Sequence, residues 1–145
     1  MGKVSRFEDL EVWKSARSFS KLIFDITLKI SFSKDFSHKD QINRSSGSIM
    51  DNIAEGFERG GNKELIQYLF IAKGSAGEAR SQLFRALDKA YINQEEFNLL
   101  ESKSQEISKQ LSGFINYLKN SEMRGEKYVK EPIEDYSRSP SNFES

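Results

Sequence analysis

The chain has 145 residues, 22 Lys+Arg against 22 Asp+Glu, and a formal net charge of zero. Zero Cys and one His exclude disulfides, thiolate catalysis, Cys-based metal sites and any multi-histidine metal site. The balanced charge removes a global positive field as an argument for a polyanionic partner, and only two Pro and nine Gly exclude collagen-like or Pro-rich architecture.

Residues 1–10 carry Lys3 and Arg6, but no apolar stretch of signal-peptide type follows. No window approaches 18 consecutive apolar residues. The expectation is a cytoplasmic protein without a membrane partner. Phe7 precedes the first helix, where it can staple the entry turn. That helix is predicted over Asp9 to Ile30, from an a/d stripe of Val12, Ala16, Phe19, Ile23, Ile26 and Ile30 that Trp13 and Leu22 widen. Ser31 to Phe36 reads as a connection. Ser37 then reads as an N-cap, with Asp40 as a partial capping-box acid. The second helix is predicted from His38 to Phe57, with the stripe Ile42, Ser46, Ile49, Ile53 and Gly56.

Gly60-Gly61 breaks the pattern, and Asn62 is expected to cap the third helix. Its stripe is Leu65, Leu69, Ala72, Ala76, Ala79, Leu83, Ala86 and Ala90. The abundance of alanine lets a neighbouring backbone come close, and Gly74-Ser75-Ala76-Gly77 is expected to thin the same helix for packing. Asn93 with Glu96 forms a second cap-and-acid signature. The fourth stripe follows: Phe97, Leu100, Ser104, Ile107, Leu111, Phe114 and Leu118. Periodicity stops after Met123. Residues 124–145 hold both prolines and few aliphatics and read as a disordered tail, or one ordered only by a partner. The predicted fold is all-α: an antiparallel up-down-up-down four-helix bundle over 1–123 with a flexible tail over 124–145.

Catalysis finds no positive support in these residues. Asp35-x-x-His38 has the spacing of a di-iron bundle element but no second copy, so an exposed or capping His38 is expected. Gly56 to Gly61 has the spacing of a phosphate loop, yet Asn62 stands where Lys is required and no strand precedes it. Glu95-Glu96 is an adjacent pair whose members point about 100° apart, and interaction with the helix dipole explains it. No cofactor and no metal are expected.

Two surface patterns are more informative. Gln41, Ser45, Ser48, Asn52 and Glu55 form a polar row beside the second apolar stripe, with Arg44 next to them. Ser75, Glu78, Gln82, Arg85 and Lys89 form a comparable row on the third helix. Pattern alone reads these rows as solvated faces. A polar contact, within the bundle or between copies, is the alternative. Lys14, Arg17 and Lys21 make a basic stripe on the first helix, and Arg59 and Lys63 are further candidate phosphate contacts.

The motifs resemble those of the bacterial ribosomal RNA intervening-sequence proteins. Phe7-x-x-Leu10-x-x-Trp13 is similar to that family's opening. Gln41-Ile42-x-Arg44 with Ser48-Ile49-x-x-Asn52-Ile53-Ala54-Glu55-Gly56 resembles its most distinctive signature. Phe70-x-Ala72-x-Gly74-Ser75-Ala76-x-Glu78 resembles its third-helix motif, and Tyr91-Ile92 the turn before its last helix. The resemblance implies an antiparallel four-helix bundle. It also implies kinship to the accessory protein of diversity-generating retroelements, a ring of five with a basic surface that works with a reverse transcriptase and nucleic acid. It carries no catalytic residues. It favours reading Gln41, Arg44, Ser48, Asn52, Glu55, Gly56, Ser75 and Glu78 as a polar network at a helix or subunit contact. The expected function is then a non-enzymatic homo-oligomeric scaffold associated with RNA, DNA or a ribonucleoprotein. A protein-interaction adaptor, recruiting through its tail or oligomer face, is the alternative.

Overall fold

The computed structural model describes residues 4–123 and residue 131. Among them a 3-10 turn, Phe7–Asp9, precedes α1 (Glu11–Ile26), the single-turn α2 (Ile30–Ser33), α3 (Phe36–Glu58), α4 (Asn62–Asp88) and α5 (Gln94–Met123). Helices α1, α3, α4 and α5 form the bundle. Each packs on its sequence neighbour, and α1 closes the circuit against α5. The connections are short, so neighbours run antiparallel in up-down-up-down order.

The seams of α3 and α5 fall where the heptads place them. Ile42, Ser46, Ile49, Ile53 and Gly56 are buried on α3, and Phe97, Leu100, Ser104, Ile107, Leu111, Phe114 and Leu118 on α5. On α4 the alanines Ala72, Ala76, Ala79 and Ala86 are fully buried, together with Leu83. Their size lets α3 and α4 approach closely. At Gly56 an added Cβ would stand 2.6 Å from Tyr68 Cβ.

Several local expectations are corrected. The first helix stops at Ile26 because Thr27 follows: its hydroxyl donates to the Phe24 carbonyl at 2.7 Å and accepts from Asn43 Nδ2 at 3.2 Å. Ile30 is consequently 78% exposed, and Phe32, in the stretch expected to be a simple connection, fills the core instead. The cap of α3 is Asp35 and not Ser37: its carboxylate accepts from the His38 amide at 3.2 Å. Gly61 stands at the N-cap of α4, so Asn62 is its first residue and no cap. Ala90 does not extend the α4 seam; it leaves the helix at φ 60. There the Tyr91 amide reaches the Ala86 carbonyl and the Ala90 amide that of Leu87, both at 2.9 Å, in a Schellman motif. Gly74 and Gly77 lie on the exposed side of α4, where an added Cβ would meet nothing within 4 Å, so they thin no contact within the chain. The reciprocal box at the start of α5 is present: the Asn93 amide donates to Glu96 and the Glu96 amide to Asn93, each at 2.8 Å.

The expected tail lies outside the described residues except for Glu131, which is buried. Its carboxylate accepts from the amides of Glu11 at 2.5 Å and Val12 at 3.0 Å, at the start of α1.

Candidate functional site

The two polar rows meet along the α3–α4 contact of one chain. Beside the α3–α4 turn, Arg59 donates to Glu55 at 2.8 Å and to the Tyr68 hydroxyl at 2.9 Å, and that hydroxyl reaches Glu55 at 3.3 Å. The Arg59 guanidinium, then the Tyr68 hydroxyl, hold the Glu55 carboxyl below its ordinary range. One step along, Asn52 donates to the carbonyl and hydroxyl of Ser48, both at 2.8 Å, and Ser48 meets the Ser75 hydroxyl at 2.9 Å. Ser45 then donates to the Gln82 carboxamide oxygen at 2.5 Å, and Arg85 donates to Gln41 at 2.8 Å.

At the far end, Asp35 accepts from the Tyr91 hydroxyl at 2.8 Å and from Lys89 at 3.1 Å. Those bonds, Tyr91 first, with the His38 amide, lower its pKa to about 2. His38 is 1% exposed, a correction of the exposed or capping reading. Its Nε2 faces the Gln82 backbone oxygen at 2.9 Å, and its ring packs 5.0 Å from Phe32 and 5.9 Å from Tyr91. Burial lowers its pKa, and Nδ1 is buried with no hydrogen-bond partner among the described residues. Phe32 closes the space below the Asp35 cap, which is why the imidazole is covered.

Of the signature residues, Gln41, Ser48, Asn52, Glu55 and Ser75 take part in this ladder, and Gly56 gives α3 its close approach to α4. Arg44 instead pairs with Asp40 on its own helix at 2.8 Å. Arg44 and Glu78 face each other's helices only across a shallow cleft of about 270 Å³, lined also by Gln41, Ser45, Ser48 and Gln82. Sequence reasoning missed Asp35, His38, Tyr68 and Tyr91 as members of the ladder. The three-residue spacing of Asp35 to the His38 amide was the available signal; the aromatic partners left none.

The candidate phosphate contacts are distributed differently. Lys14 pairs with Glu11 at 3.2 Å, Lys21 with Asp25 at 2.7 Å and Arg59 with Glu55 at 2.8 Å. The Arg17 guanidinium lies 5.6 Å from the Trp13 ring centre, and Lys63 is exposed. Lys14 also lines a second cleft, of about 260 Å³ between α1 and α5, with Ser15, Ser18, Lys103, Glu106 and Ile107. Lys103 joins it from a distant part of the chain, so no local pattern announces it. Among the described residues no group of His, Cys, Asp and Glu could hold a metal ion, and no helix is long and apolar enough to cross a membrane.

The bundle is similar to a crystal structure at 1.70 Å of a protein of unknown function from the S23 ribosomal protein family of Bacteroides thetaiotaomicron VPI-5482. The two share 28% identity and a TM-score of 0.66, over 72% of this chain and 97% of the other. No curated protein matches the chain. Residues 8–113 match the model of the 23S rRNA-intervening sequence protein family, a span that holds the α3–α4 ladder and both clefts; the chain belongs to that family.

Proposed function

We propose that the protein is a non-enzymatic, self-associating helical scaffold of the cytoplasm that holds RNA, or a ribonucleoprotein, by its backbone phosphates. The observation that carries this reading is the α1–α5 cleft, where Lys14 and Lys103 stand with the hydroxyl residues Ser15 and Ser18. Two ammonium groups and two hydroxyls suit phosphate oxygens, with Glu106 the one acid among the lining residues and no aromatic ring among them on which a base could stack. Binding there is therefore independent of sequence. The Lys14–Glu11 pair leaves both side chains about half exposed. Pairs of that kind contribute only about 0–1 kcal/mol, so a phosphate can replace the carboxylate.

Self-association draws support from the outer side of α4, where Phe70, Ile71 and Phe84 are about half exposed around Gly74 and Gly77. A ring of five, as the family resemblance implies, is the proposed assembly.

The test is retention of a structured RNA over a salt series. Binding is expected to weaken steeply with salt, and Lys14→Glu with Lys103→Glu to flatten the slope by about 0.7–0.9 per lost contact. Absence of retention at low salt would overturn the reading. A protein adaptor is the second reading, favoured by the exposure of Phe24, Leu28, Ile30 and Phe36 around the α1–α3 connection. It requires a protein partner that survives nuclease treatment in a pull-down, with Ile30→Ser and Phe36→Ser abolishing the capture.

A further inference from the structure

The start of α1 lacks a cap of its own. Leu10 stands at the N-cap position, fully buried, and its side chain can accept no hydrogen bond. The first amides of a helix have no intrahelical acceptor, and here those of Glu11 and Val12 both point at Glu131. One carboxylate oxygen takes each amide: Oε1 that of Glu11, Oε2 that of Val12. The group is only 2% exposed and comes from 120 positions along the chain. The acids nearby are already met by cations: Arg6 reaches Glu8 at 3.2 Å and Asp9 at 3.8 Å, and Lys14 holds Glu11. The paired amides and the positive end of the helix dipole thus remain for one further negative charge.

We infer that the start of α1 is a carboxylate-binding slot, with Glu131 as its in-chain ligand. Two parallel N–H donors select a planar group with two acceptor oxygens. A carboxamide fits badly, because its –NH₂ would stand against an amide N–H. Seating Glu131 orders the first turn of α1. By linkage, anything that draws Glu131 away loosens the first turn of α1 by the same factor.

Amide hydrogen exchange of the full-length protein reads the slot directly, since protection of Glu11 and Val12 has no source within the helix. Glu131→Ala is expected to speed exchange at these two amides about tenfold, with Ile49 and Leu111 unchanged as a check on the fold. Added acetate is then expected to restore protection saturably, whereas chloride at equal ionic strength does not. Glu131→Gln, which keeps the side-chain volume, is expected to exchange as fast as the alanine variant and serves if the latter does not fold. Unchanged exchange in the variants would overturn the assignment of Glu131. Faster exchange that acetate fails to slow would overturn the slot and leave a packing role alone.

Discussion

Substituting Gly56 by alanine tests how closely α3 and α4 approach. The new methyl would stand 2.6 Å from Tyr68 Cβ and 3.2 Å from Leu65 Cδ1. Carbon atoms pack best at about 3.5–4.0 Å. Tyr68 Cβ is fixed to its backbone and cannot rotate aside, so α4 has to move out by about 1 Å. Overpacking of this kind costs about 1–3 kcal/mol, and replacing glycine by alanine in a helix returns about 0.8–1.0 kcal/mol. The expected net loss is roughly 0–2 kcal/mol. Gly74→Ala supplies the comparison: it carries the same gain in helix propensity with nothing within 4 Å of the new methyl. It should stabilise the dilute protein by nearly 1 kcal/mol. Urea unfolding followed by circular dichroism measures both, and their difference isolates the steric contact. If Gly56→Ala and Gly74→Ala stabilised equally, the close approach would be refuted.

Ala90 adopts φ 60 at the end of α4, a conformation that glycine takes without steric cost. Relief of about 1–2 kcal/mol of strain, less the entropy that glycine adds to the unfolded chain, gives Ala90→Gly a gain of about 0.5–1 kcal/mol, read as a rise in thermal midpoint. The chain has one histidine, so the interval from pH 7.5 to 5.5 isolates His38 among the side chains at their ordinary values. Burial lowers its pKa in the fold, so the unfolded chain binds the proton first. Stability is therefore full above about pH 6.5 and falls as the pH drops below it. His38→Gln should remove the difference between unfolding midpoints at the two ends of that interval. Asp35→Asn is expected to leave the bundle helical while lowering stability, because the cap weakens and Tyr91 and Lys89 lose a charged acceptor.

The bundle was legible because its information is local. Ile42 to Gly56 and Phe97 to Leu118 repeat at three and four residues, and that spacing alone decides which face is buried. The same rule misled at Ile30, where the apolar rhythm continues but the Thr27 hydroxyl has already bonded to the Phe24 carbonyl and ended the helix. Ser37 and Asp35 are both good caps, and the choice between them depends on Phe32 entering the core, which only the folded chain decides. The polar rows were visible as periodicities. Their pairing was not, because Ser45 with Gln82 and Ser48 with Ser75 depend on how α3 is set against α4. Lys103 beside Lys14 and Glu131 beside Glu11 are contacts between distant stretches of sequence, and nothing near either partner signals them.

Glu131 also sets an order of events during synthesis. The ribosome makes α1 well before Glu131, the group that fastens its leading end, which follows Glu11 by 120 positions. A nascent chain holding all four rods would still have a loose first turn, and synthesis as far as Glu131 is what locks it. Premature termination just after Met123 would yield a product with its full hydrophobic interior but a fraying front end, a lesion suited to surveillance by proteases.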